Sequence, residues 1–294
     1  RRHGPHQRGP PQLDRQGPDR PARTVSDTLL VGAVAYHERV VPIWEVFREY
    51  FSSKGIPVDY ILFSNYERQA EALLSGQIDI GWNTNTAYVR VRHMAPEPVR
   101  ILGMRDVDSD WATLVVTRKG EGVEKVSQLA GKRLALGSRD SGHAAILPLY
   151  YLEREGLDAV TDCDLIRFDT DLGKHGDTGD SELKVLRAVA DGEADAGAVG
   201  APIWASLKGK ADPLVSGLEV QWRSEDYYHC NFTVLGSMDE ALGSRWAEAL
   251  LAMDYNDPAL RNAMDLEGVK KWLPGDDAGY ATLTEAMEQQ GYLR

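Results

Sequence analysis

TLLVGAVAYHERVVPIWEVFREYFSSKGIPVDYILFSNYERQAEALLSGQIDIGW, Thr28 to Trp82, decides the fold class. It opens on a short apolar β-type run, Thr28–Ala35, after which Val40, Ile43, Trp44, Phe47, Tyr50 and Phe51 follow at the three- and four-residue intervals of a helix. Val58–Phe63 restarts a strand, Tyr66–Ser75 is helical by Ala70, Leu73 and Leu74, Gly76 ends it, and Ile78–Trp82 is another buried strand. Strands alternating with helices imply parallel pairing and an α/β fold. Open sheets of this kind bind ligands in loops at the carboxyl ends of their strands, here Tyr36–Arg39 and Asn83–Thr86.

The rhythm repeats after Trp111–Thr117, with strands predicted at Arg133–Gly137, Asp164–Phe168 and Ala196–Val199 and helices at Gly142–Glu155 and Ser181–Ala190. A second α/β lobe is therefore expected. Phe232–Leu235 is β-like again, and Arg245–Met253 and Leu283–Glu288 read as capping helices. A chain of 294 residues has room for two such lobes.

Hydrophobic residues at 43% and no apolar run near the roughly 18 residues of a membrane-spanning helix exclude a bilayer-spanning segment. The net charge of -12 argues against nucleic acid as a partner. Charge is segregated: Arg1–Arg23 carries six Arg against Asp14 and Asp19, a net of +4, which leaves -16 for the rest. With five Pro, three Gly and Leu13 as its only large aliphatic, that stretch buries too little to order itself, and residues 1–27 are expected to be a disordered Arg/Pro-rich tail. The tail has no apolar core of a secretory signal, and Cys163 and Cys230 do not decide a compartment.

The strongest local signal is ALGSRDSGHAAILP, Ala135–Pro148, where a buried strand runs through Gly137, Ser138, Ser141, Gly142 and His143 into an apolar helix. Such a junction presents unpaired backbone N–H groups, two hydroxyls and the positive end of a helix dipole to one cleft, an oxyanion-binding arrangement. The competing reading is that the serines only cap the helix.

Three segments, YERQAEALLSGQIDIGW (66–82), WATLVVTRKGEGVEKVSQLAGKRLALGSRDSGHAAILPLYYLEREGL (111–157) and GKHGDTGDSELKVLRAVADGEADAGAVG (173–200), together resemble the phosphonate and phosphite substrate-binding proteins of ABC importers. The resemblance implies the type II periplasmic-binding fold, two α/β lobes joined by two crossing strands with ligand clamped between them. It places lobe 1 at 28–112 plus 230–294, lobe 2 at 118–226, and the crossing strands at 113–117 and 227–234. By the same resemblance Tyr36 is a pocket tyrosine, Ser138 and Ser141 are the oxyanion-binding hydroxyls, and His175 is the histidine of a Gly-x-His loop. An ABC permease is the partner it implies and an extracytoplasmic place its setting, although the chain contains no signal peptide or lipid-anchor Cys and its residues leave the cytoplasm open too. A monomer without cofactor is expected.

Three features depart from the family pattern. Asn83, Thr84, Asn85 and Thr86 stand where a Gly-Pro pair is frequent and put extra hydrogen-bonding groups at the cleft. Asp169, Asp171, Asp177 and Asp180 crowd His175 and Thr178, which disfavours a dianion and points to a zwitterion, a monoanion or a metal-associated ligand. Asp177 or Thr178 is the expected cap of the helix that follows. Finally, an extended Tyr227–Thr233 sends His229 to the cleft and Cys230 to the packing layer, so that the two share no ligand without a bulge.

The competing functional reading is a metal- or His-dependent enzyme on the same scaffold, using His37, His175 and His229, with His143 also able to join one cleft and a transition metal as its cofactor. No two of these histidines stand at a compact metal spacing, which favours the binder. A third reading is a solitary sequestering or sensing protein. The expected ligand set is Tyr36, His37, Asn83, Thr84, Asn85, Ser138, Ser141, Gly142, His143, His175, Thr178 and His229.

Overall fold

The computed structural model describes residues 28–121, 123 and 125–293; the expected tail, 1–27, lies outside the described residues. The first lobe runs β1 (Leu29–Val34), α1 (Val40–Ser53), β2 (Val58–Phe63), α2 (Tyr66–Leu74), β3 (Ile80–Asn83), α3 (Asn85–Met94) and β4 (Val99–Arg105). The second follows with β5 (Thr113–Arg118), β6 (Arg133–Leu136), α4 (Leu147–Arg154), α5 (Ala159–Asp162), β7 (Asp164–Arg167), α6 (Asp180–Ala190), β8 (Ala196–Gly200), α7 (Ala201–Gly209) and β9 (Leu218–Arg223). The chain then returns through β10 (Asn231–Leu235), α8 (Glu240–Leu251), α9 (Pro258–Glu267), β11 (Trp272–Leu273) and α10 (Ala281–Gln289).

One sheet has the order β11-β4-β10-β3-β1-β2 and the other β7-β6-β8-β5-β9. Strand β1, next to the edge strand β2, pairs in parallel with both β2 and β3 and is buried at almost every position, which is why it reads as an unbroken apolar run. Helix α1 covers it with Val40, Ile43, Trp44, Phe47 and Phe51. In the second lobe, β8 (AGAVG) is small-residue apart from Val199, and α6 lies close upon it: a Cβ at Gly197 would stand 2.5 Å from Val185 Cγ1. The returning β10 inserts antiparallel between β3 and β4, and its Phe232 packs among Trp44, Trp82, Trp246 and Trp272. These buried aromatics anchor the second passage of the chain in the first lobe.

The crossings differ from the expected ranges. Residues 113–117 belong to β5 inside the second sheet, and 231–235 to β10 inside the first. The chain passes between the sheets through 106–112, which turns at 106–110, and returns through 224–230, the two segments joined by the Trp111–Tyr227 bridge. The terminal α10, expected in lobe 1, packs Leu283, Ala286 and Met287 against Tyr88 and Val89 of α3 and also against Ile146, Leu147 and Tyr150 of the second lobe. One apolar cluster thus spans both lobes.

Candidate functional site

The lobes meet face to face. His175 Nδ1 stands 2.6 Å from Thr84 Oγ1 and 2.8 Å from Thr86 Oγ1, Lys174 Nζ donates to Ala35 O at 2.8 Å, the backbone N–H of Tyr66 donates to Gly173 O at 3.0 Å, and the Tyr66 hydroxyl donates to Asp177. Between them remains a cavity of about 350 Å³ walled by Tyr36, Trp82, Arg105, Trp111, His143, Asp177, Thr178, Glu182, His229, Cys230 and Glu267 among others. A wider mouth shares Tyr36, Arg39, Arg105, Trp111 and Glu267 with it.

Three aromatic rings form one wall. Trp111 stacks on His229 with centroids 3.6 Å apart, His143 lies 5.3 Å from Trp111 and 5.6 Å from His229, and Trp111 Nε1, His143 Nδ1 and His229 Nε2 are all buried without a protein partner. Burying a polar group unpaired is costly, and buried polar atoms ordinarily have a partner. Facing the rings are carboxylates. Glu182 accepts from Gly200 N at 2.7 Å and lies 3.3 Å from His143 Nε2. Burial works against a protonated His143, but Glu182, with Asp177 and Asp171 behind it, outweighs that and holds the imidazole above its ordinary value. His229 is pushed the other way, well down, by burial and then by His143 and Arg105.

Arg105 is held by two carboxylates. Its Nε and Nη2 clamp Asp108 at 2.8 and 2.7 Å, while Nη1 reaches Glu267 O at 2.8 Å and Glu267 Oε1 at 3.3 Å. With that guanidinium shared, burial raises Glu267 to about 7.

Of the expected site residues, Tyr36, His143, Thr178 and His229 wall the cavity. Thr84 and His175 form the inter-lobe latch, and Asn85 is also inter-lobe: a Cβ on Gly142 would come 2.9 Å from Asn85 Oδ1. The rest differ. His37 is exposed, its Nδ1 accepting from Arg39 N at 3.1 Å. Asn83 is turned into lobe 1, accepting from Gln69 Nε2 at 2.8 Å. Ser138 Oγ accepts from Asp171 N at 2.9 Å and donates to Phe168 O at 3.4 Å, and Ser141 Oγ accepts from Ala144 N at 3.2 Å at the head of a single π-helical turn, Gly142–Ile146, that leads into α4. The Ser138 hydroxyl both accepts from and donates to the protein's own backbone, and Ser141 caps the turn as the competing reading has it; neither serine walls the cavity.

The Asp cluster divides likewise. Asp169 pairs with Arg139, while Asp171 accepts from Thr178 Oγ1 and from Ser181 N at 2.9 Å; Thr178 Oγ1 in turn accepts from Asp180 N at 3.2 Å, so Thr178, one of the two expected caps, shares the start of α6 with Asp171. Asp177 alone of the four walls the cavity. His229 and Cys230, expected on opposite faces, are neighbours with Nδ1 and Sγ 2.9 Å apart, because the chain there hangs on Asp108 through His229 N and Cys230 N and becomes a strand only at Asn231. His37, His175 and His229 do not meet in one pocket, which removes the triad expected of an enzyme. Trp111, Arg105, Glu182 and Glu267 were not anticipated; Trp111, an aromatic just before the crossing, carried the only local signal.

The family model of the periplasmic phosphonate substrate-binding proteins of ABC transporters matches residues 31–280. The chain belongs to this family. Among its relatives, the probable phosphite-binding protein PhnD1 of Prochlorococcus marinus (strain MIT 9301) is 21% identical over 257 residues, 84% of this chain and 83% of the relative. The structure of PhnD1 from that organism in complex with methylphosphonate superposes with a TM-score of 0.70 at 19% identity over 91% of this chain and 99% of that one. XAC2383 from Xanthomonas citri bound to ATP gives 0.70 at 20% identity over 91% and 98%. These likenesses show the two-lobe fold of periplasmic substrate-binding proteins. No helix among the described residues is long and apolar enough to cross a membrane.

Proposed function

We propose that the chain captures a monoanionic or zwitterionic oxyanion of the phosphonate type between its lobes, outside the cytoplasm, and delivers it to an ABC permease. The observation that carries this reading is the set of three unpartnered ring nitrogens on one cavity wall. Trp111 Nε1 is a donor only. Burial also pushes the Cys230 thiol well up, so a neutral thiol can donate to His229 Nδ1, and Asp177 Oδ1 at 4.0 Å from Nε2 favours the tautomer with its proton there. His143, whose imidazolium Glu182 favours, adds Nδ1–H when it is protonated and held to Glu182 through Nε2. Three N–H donors suit one oxyanion, as charge-assisted hydrogen bonds are the strong ones.

The other walls limit the charge. Asp177, Glu182 and Glu267 oppose a dianion and suit a ligand whose far end is cationic, while Arg39 and Arg105, lying over the Tyr36 and Trp82 rings, offset part of that negative charge. Lobe closure captures the ligand and requires no chemistry. Calorimetry with methylphosphonate, phosphite and an aminoalkylphosphonate tests the reading. The aminoalkyl compound is expected to bind most tightly, and Trp111→Phe to weaken all three; absence of binding by every oxyanion tried overturns it.

A further inference from the structure

A second convergence of polar groups lies outside the cavity, at the latch. His175 crosses from the second lobe and stacks on Tyr66 at 4.7 Å with its Nδ1 against the Thr84 and Thr86 hydroxyls. Its other nitrogen, Nε2, faces carboxylates: Glu67 Oε1 is 3.4 Å away, and one ligand atom each from Glu67, Asp140 and His175 lies within 4.8 Å of the others. Asp140 is 9% exposed; Oδ2 accepts from Gly173 N at 2.5 Å, while Oδ1 is buried with no hydrogen-bond partner. His175 holds its place at φ 55°, a left-handed conformation that costs a non-glycine residue energy and clusters at sites where geometry matters.

Two carboxylates brought against an imidazole nitrogen call for positive charge among them. Arg90 Nη1, 3.6 Å from Glu67 Oε1, supplies some from the solvent side but makes no ion pair with Asp140. We propose that Glu67, Asp140 and His175 form a divalent transition-metal site that staples the closed lobes together. Glu67 comes from the first lobe, Asp140 and His175 from the second, so a shared ion binds the closed arrangement better than the open one and shifts the equilibrium by that difference. Without the ion Nε2 donates to Glu67; an ion would displace that proton, and Nδ1–H donated to the Thr84 and Thr86 hydroxyls would then hold the tautomer whose Nε2 lone pair faces the metal. Mixed imidazole and carboxylate donors suit Zn²⁺ and its first-row neighbours better than Mg²⁺ or Ca²⁺. Metal–ligand bonds of about 2.0–2.2 Å require the three groups to draw inward, and Glu67, 34% exposed, is free to swing and leaves a path for the ion.

Asp108, His229 and Cys230 are grouped as closely, but both Asp108 oxygens already accept from Arg105, whose guanidinium repels a cation. The latch site stands apart from the ligand cavity, none of whose walls it shares.

The test is a Zn²⁺ titration of the chelator-treated full chain by calorimetry and native mass spectrometry, with small-angle scattering of the ligand-free protein. One ion per chain is expected, with compaction on Zn²⁺ addition. Glu67→Gln should weaken Zn²⁺ at least about tenfold, His175→Gln about a hundredfold, and the exposed His93→Gln not at all. Because His175 is also part of the lobe contact, the partly exposed Glu67 carries the decision. Parent-like Zn²⁺ affinity in Glu67→Gln, no stoichiometric binding, or equal compaction by millimolar Mg²⁺ overturns the proposal.

Discussion

The indole of Trp111 lies flat on the imidazole of His229, planes 7° from parallel and centroids 3.6 Å apart. One residue comes from the outgoing crossing and the other from the returning one, and the backbone bridge between Trp111 and Tyr227 sets their approach. Two segments far apart in sequence thereby place two ring nitrogens on one wall.

Trp111→Phe keeps an aromatic face on His229 and removes the Nε1–H. Oxyanion affinity should fall by about 1–3 kcal/mol, the cost of an unmade hydrogen bond to a charged group, with little change in unfolding midpoint. Calorimetry beside a urea melt separates the two effects; unchanged affinity would take Trp111 out of the binding wall.

Binding should also depend on the protonation of His143. Burial disfavours the imidazolium, yet Glu182 and the nearby Asp177 and Asp171 raise its pKa on balance. Affinity for a monoanion is therefore expected to be full below that raised value and to decline as pH rises through it. His143→Gln, which keeps one donor without titrating, should flatten a profile of affinity against pH measured from 6 to 9.

Glu267 sets a stability slope. Its carboxyl sits near 4.5 in the unfolded chain and is raised to about 7 in the folded one, first by burial. The folded state thus binds the proton more tightly, so the contribution is complete below about 4.5 and is lost as pH climbs through 7, by roughly 3 kcal/mol at about 1.36 per pKa unit. Glu267→Gln, a mimic of the protonated acid, should remove the decline in urea melts between pH 5 and 8. Parallel profiles for parent and variant would refute the assignment.

For Ser138 and Ser141 the expected outcome is loss of stability with ligand affinity intact. Ser141→Ala forfeits a helix cap worth about 0.5–2 kcal/mol, and Ser138→Ala leaves Asp171 N–H without its acceptor. A double variant that melts like the parent but binds methylphosphonate poorly would return the oxyanion to these serines.

A hydrophobic period belongs to neighbouring residues, and so the elements of both lobes could be read directly: Val40 to Phe51 as a helix, Ile80 and Trp82 in a strand, Val185 to Val189 against β8. The cleft position of Tyr36 and His229 was legible because each adjoins a strand end, and that of His143 and Thr178 because each stands where the chain leads from a strand into a helix of an α/β lobe. What the serine hydroxyls do was not, since Ser138 finds its partner on Asp171 in another loop and spends itself there. The same limit hid Arg105, Glu182 and Glu267, unremarkable charges on separate elements until the lobes close. Local propensity and apolar spacing determined the elements and the two-lobe class. Only the tertiary structure decided which polar atoms were already satisfied and which were left facing the cavity, because hydrogen-bond partners and burial depend on residues that sequence distance does not bring together.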